Sequence, residues 1–343
     1  MITENKKLEL VSIVIPVYNE EKHIEGLIDS LFKQDYDREK LEIIFVDGNS
    51  SDNTVKIIKE KMINNEKTKI KYKILTNVER ITPKSVNMGI KDSQNDIIIR
   101  LDAHSEYPDN YITKCVYYLN NTEADNVGCL SKAKGKTEIG QAIANIVSSK
   151  FGVGNSQFRL NEKSGYVDTV PFGTFRKKLF DKIGYFNEEL LRSEDNEFNY
   201  RIRKNNGKVY LFNDVVTIYY PRDTIYKLMK MGFQNGKWAT YTGYIIPGSM
   251  GIRHFIPLFF VIGLILGTIF TILNIKPLTI AFFSVLSIYL GMDLIYTIKS
   301  IKKDGISQII CFIIYPLFHI SYGIGSIFGL IKILKKVVKE WKK

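Results

Sequence analysis

Three long apolar runs after Arg253 constrain this chain more than any other feature. Residues 254–273 (HFIPLFFVIGLILGTIFTIL) carry no full charge over 20 positions, enough as a helix to cross a hydrocarbon core of ~30 Å. Residues 277–298 repeat the pattern with one acid, Asp293, and residues 308–331 repeat it with Pro316 and several glycines inside. Helices of a soluble core are rarely apolar all round three times in succession, so a membrane domain is the better reading.

Charge agrees with this. The chain carries a net +12, and from Arg253 onward 11 lysines and arginines face only 3 acids. A nucleic-acid binder spreads its basic residues over a folded face, whereas here they flank apolar runs, as at the cytoplasmic edge of a membrane protein. Nucleic acid is therefore not an expected partner, and membrane lipid is. Residues 1–10 (MITENKKLEL) are polar and do not read as a signal peptide, which predicts a cytoplasmic N-terminal domain. Cys115, Cys129 and Cys311 lie too far apart for a disulfide framework and suit a reducing compartment.

The first two runs then predict a helical hairpin turning at Asn274-Ile275-Lys276, with Lys299, Lys302 and Lys303 back in the cytoplasm. A full third crossing would strand the lysines from Lys332 to Lys343 outside. The expectation is a shallow or re-entrant third segment, broken at Pro316 and at Gly323 and Gly325. Asp293 is expected near the interface.

Before residue 250 the pattern alternates strand and helix. Residues 10–17 (LVSIVIPV), 41–46, 70–75 and 96–101 read as strands, the first continuously apolar as in a sheet buried on both faces. Helical spacing fills the segments 20–34 and 54–63 and begins again at 83–90. This βαβ alternation predicts an α/β domain with a mainly parallel, doubly wound sheet, whose ligands bind beyond the carboxyl ends of its strands. Asp47, Asp102 and the turn Pro16-Val17-Tyr18-Asn19-Glu20 all fall there.

Neither Gly-x-Gly-x-x-Gly nor Gly-Lys-Ser/Thr follows the first strand, so a phosphate-bearing ligand needs another source of positive charge, for which a divalent metal is the usual substitute. In Arg100-Leu101-Asp102-Ala103-His104 a carboxylate and an imidazole stand two residues apart, a donor pair that suits Mn²⁺ or Mg²⁺. Spacing alone favours the plainer reading, a capping Asp and a solvated surface His. Asp52 or Asn53 reads as the cap of the helix starting at Thr54. In Ser193-Glu194-Asp195-Asn196-Glu197 the acids open a helix, where the dipole favours them without any catalysis.

Taken in order, these segments resemble a family. Ser12–Glu20 (SIVIPVYNE), Val46-Asp47-Gly48 with Ser51-Asp52-Asn53-Thr54, Asp102-Ala103-His104, Glu194-Asp195 and Gln234-Asn235-Gly236-Lys237-Trp238 look like the inverting family 2 glycosyltransferases of GT-A (Rossmann-like) fold. Tyr107-Pro108, Val167 to Gly173 (VDTVPFG) and Tyr219-Tyr220-Pro221-Arg222 look most like the membrane-anchored succinoglycan-type exopolysaccharide enzymes. The resemblance implies that Pro16, Tyr18, Glu20, Asp47, Arg80 and Asp102 hold a nucleotide-sugar, UDP-linked, and that Asp102 and His104 bind Mn²⁺ or Mg²⁺. It makes Asp195 the general base with Glu194 beside it. Gln234, Lys237 and Trp238 would meet the acceptor and the diphosphate, Trp238 stacking on a sugar. Two positions depart from the pattern. His104 replaces an Asp, so metal binding should weaken below about pH 6.5, and Lys237 replaces an Arg, so a bidentate fork becomes a point charge.

The resulting expectation is a GT-A catalytic domain over 1–225, an interfacial segment over 226–252 and a membrane domain over 253–343 of a multi-pass cell-membrane protein. The implied reaction moves a sugar from the nucleotide to a polyprenyl-linked glycan acceptor in surface polysaccharide or glycan synthesis, a setting compatible with partner subunits. Transfer onto polyprenyl phosphate itself, and a non-catalytic membrane-docked sugar or lipid binder, are the alternatives.

Overall fold

The apolar strands collapse into a sheet that is dry on both faces. A computed structural model describes residues 9–63, 70–160, 163–221 and 223–341; Arg222, Lys342 and Lys343 therefore lie outside the described residues. The chain forms two compact units, Met1–Lys132 with Asn161–Tyr219, and Ala133–Leu160 with Tyr220–Lys343.

In the first unit β1 (Val11–Val17), α1 (Ile24–Phe32), β2 (Leu41–Asp47), α2 (Thr54–Ile63), β3 (Lys71–Thr76), α3 (Thr82–Asp92) and β4 (Ile97–Arg100) alternate as the hydropathy predicts. β1 pairs in parallel with both β2 and β4, and β2 with β3. Beyond β4 the parallel pattern ends. The next elements are β5 (Ser105–Glu106), α4 (Tyr111–Asn121), β6 (Asn126–Ala133), α5 (Glu138–Val147), α6 (Lys150–Val153), α7 (Gln157–Leu160), β7 (Gly165–Tyr166), β8 (Thr174–Arg176), α8 (Lys178–Ile183), α9 (Glu194–Lys204) and β9 (Val209–Tyr219). The sheet runs β3-β2-β1-β4-β8-β6-β9-β5 with β7 on β9, and β8 pairs antiparallel to β4 and β6. The result is a mixed GT-A-like sheet with its core at Ile13, Ile15, Ile43, Phe45, Ile97 and Ile99, all inaccessible.

The second unit holds α10 (Ile225–Ile245), α11 (Ile256–Ile272), α12 (Lys276–Asp304) and α13 (Cys311–Trp341). It also takes the stretch Ala133–Leu160, a correction to the expected catalytic domain over 1–225. The reason is local: Ala142, Ile143, Ile146 and Val147 on α5 bury against Leu228 of α10 and Cys311, Ile314, Tyr315 and Phe318 of α13. A polar seam closes the same contact, with Gln141 donating to Asp304 at 3.0 Å, Asn145 to Gln308 at 3.2 Å and the Tyr315 hydroxyl to Ser149 at 2.9 Å.

α10 and α13 run side by side in the same direction. Small residues let their backbones touch: a Cβ on Gly236 would lie 1.9 Å from the Tyr322 carbonyl oxygen, and one on Gly325 would lie 2.0 Å from that of Phe233. α11 and α12 form the expected hairpin, turning at Leu273-Asn274-Ile275 with Asn274 left-handed at φ 54°. Its open end stacks Phe260 on Tyr289 at 4.4 Å, and Tyr289 hydrogen-bonds His319 of α13 at 2.9 Å. Asp293 is buried there, accepting from Thr297 at 3.4 Å, so protein rather than lipid surrounds the charge-bearing position.

By length and composition α12 and the stretch Ile306–Trp341 are long and apolar enough to cross a membrane, and Ile256–Ile272 is shorter. The predicted break in the third run is corrected. α13 is one continuous helix of 31 residues with Pro316 inside it. Gly323 and Gly325 do not break it either; both press against neighbouring helices, Gly323 on Pro257 and Gly325 on Phe233.

Candidate active site

The carboxyl ends of β1, β2 and β4 bring the first set of predicted residues together. Asp47 closes β2, is buried, and accepts hydrogen bonds from the Ser50 backbone at 3.2 Å and the Ser50 hydroxyl at 2.6 Å. The β1 turn is laced to this loop: the Ser51 N–H donates to Asn19 at 2.9 Å and the Glu20 N–H to Thr54 at 2.7 Å. Asp52 caps α2, its carboxylate accepting from the Thr54 N–H at 3.0 Å and hydroxyl at 2.6 Å. Tyr18 projects from the β1 turn, and Arg80 lies over its ring at 5.2 Å while donating to its hydroxyl at 3.2 Å.

After β4 the chain turns at Asp102, whose N–H donates to the buried Tyr107 hydroxyl at 2.9 Å. This explains the Tyr107-Pro108 pair: it holds the Asp-Ala-His turn from behind. His104 faces Glu20, Nδ1 to Oε1 at 3.4 Å, and sets its ring edge-on to Tyr219 at 5.8 Å. Asn19, Asn49, Arg80, Phe172 and Ser193 are left-handed, with φ between 50° and 67°. For Arg80, Phe172 and Ser193 that backbone costs about 1 kcal/mol or more each, strain of the kind that gathers at sites whose geometry is over-determined.

Arg100 organises the acids, and sequence reasoning missed it. It ends β4, its side chain is 5% exposed, and its guanidinium meets Glu194 at 3.2 Å, Asp102 at 3.5 Å and Asp195 in a close ion pair. Three carboxylates around one buried guanidinium keep Arg100 protonated against the cost of burial. Asp195 titrates well above an ordinary carboxylate, at about 7: desolvation raises it, Arg100 opposes, and Glu194 and Asp102 push upward again. A third of its side chain stays exposed, so it can be reached from outside the protein. The only sequence signal for Arg100 was a full charge ending the run Ile97-Ile98-Ile99.

Glu194, Asp195 and Glu197 do open α9 in its first turn, as the dipole reading expects, but no cap accompanies them. The Ser193 side chain makes no cap, and Glu197 pairs with Arg201, which also donates to the Ile183 and Tyr185 carbonyls at 2.7 and 2.8 Å. Asn199, one turn on, donates to Thr169 at 2.9 Å and the Val170 carbonyl at 3.2 Å, tying α9 to the VDTVPFG loop.

Gln234, Lys237 and Trp238 belong to the second unit, on α10. Their spacing, with Tyr241, places them on one helical face. Trp238 is 6% exposed, edge-on to Tyr241 at 5.7 Å, and carries the Lys332 ammonium 3.6 Å from its ring centroid. Pro16, Tyr18, Glu20, Asp47, Arg80, Asp102, His104, Glu194 and Asp195 all lie in the first unit.

Among the described residues no group of three or more His, Cys, Asp or Glu side chains is assembled that could hold a metal by itself. The Asp102 and His104 pair still suits a hard cation that takes its remaining oxygens from a diphosphate. An oxygen and a nitrogen donor share one turn, and the Glu20 carboxylate on Nδ1 is the arrangement that orients a ligating imidazole through Nε2.

The chain is also similar to known proteins. The profile described as Glycosyl transferase family 2 matches residues 12–184. A dolichyl N-acetyl-alpha-D-glucosaminyl phosphate 3-beta-D-2,3-diacetamido-2,3-dideoxy-beta-D-glucuronosyltransferase of Methanococcus voltae is 29% identical over 95% of this chain and 98% of its own. The succinoglycan biosynthesis protein ExoA of Rhizobium meliloti is 28% identical over 72% of this chain and 74% of its own. Among solved structures, the mannosyltransferase PcManGT from Pyrobaculum calidifontis, in complex with GDP-Man and Mn²⁺, shares the fold with a TM-score of 0.59 at 15% identity, over 94% of this chain and 88% of its own.

Proposed function

Because the chain belongs to glycosyl transferase family 2 and is a glycosyltransferase, we propose that it moves a sugar from a UDP-linked donor, with inversion, onto a lipid-linked glycan during surface polysaccharide or glycan synthesis. The observation that carries the reading is Asp195: a reachable carboxylate, raised to about 7 by burial yet anchored by Arg100, beside the turn that holds Asp102. A base near neutral pH accepts a proton best where it works.

The residues then divide the work. Tyr18 and Arg80 offer a flat cationic surface for the base of the nucleotide, with Asp47 and the Pro16–Glu20 turn beside it. Asp102 and His104 would hold Mn²⁺ or Mg²⁺, which when bound neutralises charge on the leaving nucleoside diphosphate. Asp195 takes the proton of an acceptor hydroxyl as that oxygen attacks the anomeric carbon, and Arg100 keeps the carboxylate aimed. Glu194 shares the guanidinium and adds to the field that raises Asp195. Single displacement turns an α-linked donor into a β-glycoside. The relatives named for dolichyl-linked and succinoglycan substrates support a lipid-linked acceptor.

The membrane reading follows from unit two alone. α11 and α12 enter and return as a hairpin, with the catalytic domain and Lys299, Lys302 and Lys303 on the cytoplasmic side. α13 lies along the surface beside α10, because α10 carries Lys227, Lys230, Gln234, Asn235 and Lys237 and cannot share a depth inside hydrocarbon.

Membranes containing the chain, incubated with radiolabelled nucleotide-sugars and extracted lipid acceptor, test this. Label should enter the lipid fraction with one donor and stay out of it with Asp195→Asn. Equal labelling by both proteins would overturn the assignment of the base, and no labelling from any donor would overturn the reaction.

A further inference from the structure

α10 and α13 together carry seven lysines and one acid, Glu340. Lys227 pairs with Asp223 at 2.8 Å, and like charges brought close on adjacent helices repel one another. Two of the seven, Lys332 and Lys336, meet at one defined place on these helices. The Lys332 ammonium sits 3.6 Å from the Trp238 ring centroid and 3.8 Å from that of Tyr241, and the Lys336 ammonium lies 5.8 Å from Tyr241. Gln234 and Lys237 share the face of α10 that holds those two rings.

We propose that this cluster seats the phosphate of the lipid-linked acceptor, a phosphodiester or diphosphate at the membrane surface. The inference rests on the reading of the enzyme as a lipid-acceptor glycosyltransferase and assigns the acceptor's charged group to Lys332 and Lys336, with Lys237 and Gln234 beside them. Three features favour a lipid phosphate. An ammonium held against two rings keeps its charge but has already lost its freedom, so binding an oxyanion orders little more. A face of α13 next to the cluster is apolar and exposed, with Ile324, Ile331 and Leu334 beside Phe328, whose ring meets Phe233 of α10 edge-on at 5.2 Å, a surface along which a prenyl chain can lie. Lys335 and Lys339 continue that stripe one and two turns beyond Ile331, and suit a membrane boundary where one end of the ligand is wet and the other is oil. Trp238 then acts by fixing Lys332, since its ring face is already covered by the ammonium.

The chain has two tryptophans, so Trp341→Phe leaves Trp238 as the sole indole, 3.6 Å from the proposed phosphate ligand Lys332. The full-length Trp341→Phe protein, in phosphatidylcholine nanodiscs without any nucleotide-sugar, is titrated with farnesyl phosphate. Trp238 emission and retention of tritiated farnesyl phosphate are both followed. The expected result is saturable binding that weakens roughly tenfold or more in Lys332→Gln/Lys336→Gln, the loss of two charge-assisted contacts, and is retained in Lys332→Arg/Lys336→Arg. Farnesol and inorganic phosphate should bind at least roughly tenfold more weakly than farnesyl phosphate. Unchanged binding in the glutamine variant overturns the proposal, as does farnesol matching farnesyl phosphate, which marks an apolar site. Inorganic phosphate binding as tightly overturns it too, marking a general anion site. Binding through these lysines in a protein that transfers no sugar would keep the inference and overturn the reading it rests on. Transfer with the glutamine variant titrating normally would do the reverse.

Discussion

Asp195 stands under two opposed influences, desolvation that favours its acid form and a guanidinium that favours its base form. The first prevails, and the carboxyl titrates at about 7. A base works deprotonated, so kcat/KM should climb as pH rises through about 7 and level off above it, read from initial rates of lipid labelling. For stability the sign reverses. The folded carboxyl keeps a proton that an unfolded one, at 3.8, has lost, so its contribution to stability falls as pH rises from about 4 to about 7. Asp195→Asn keeps the shape and the hydrogen bond to Arg100 but should lower turnover by ~10²-fold or more. Glu20 invites a separate test, because its carboxylate faces Nδ1 of His104. Glu20→Gln should weaken Mn²⁺ binding in the presence of UDP by about tenfold or more, measured by the free-ion resonance signal; unchanged affinity would remove Glu20 from that role. At this scale the acids were legible because they end strands or open a helix. Arg100 was not, since a charge closing an apolar strand reads as the strand's wet end, and only the fold sets it among Asp102, Glu194 and Asp195.

The helices of the second unit show where periodicity informs and where it misleads. The α11–α12 hairpin and its turn were legible because two long runs, apolar on every side, are separated by only a short polar step at Asn274-Ile275-Lys276. α13 was misread at Pro316, which forfeits one helical hydrogen bond yet stays inside a continuous helix. Its glycines are contact points and not breaks: the helix needs Gly325 because Phe233 of α10 occupies the space of a side chain. Gly325→Leu should force α10 and α13 apart and cost about 1–3 kcal/mol, seen as a lower Tm of the solubilised protein. Gly263→Leu is the control, since nothing lies within 4 Å of a Cβ there. Residues 133–160 were unreadable as part of this unit, because an amphipathic helix such as α5 names no partner.

For the whole molecule, the parallel half of the sheet followed from alternating hydropathy, whereas β5, β7 and β8 are two or three residues long and leave no periodic trace. Membrane disposition has a direct readout, helped by the burial of all three native cysteines. A probe that labels only from outside intact cells should react with Asn274→Cys and spare Lys302→Cys and Lys339→Cys. Reaction at Lys339→Cys would mean that α13 crosses, and reaction at Lys302→Cys would invert the hairpin. The account turns on a single inverting displacement driven by Asp195, and the configuration of the new bond tests it most directly. Product made from an α-linked UDP-sugar and lipid acceptor, cleaved from its lipid and read by the anomeric proton coupling, should be the β-glycoside. An α-glycoside would contradict the mechanism.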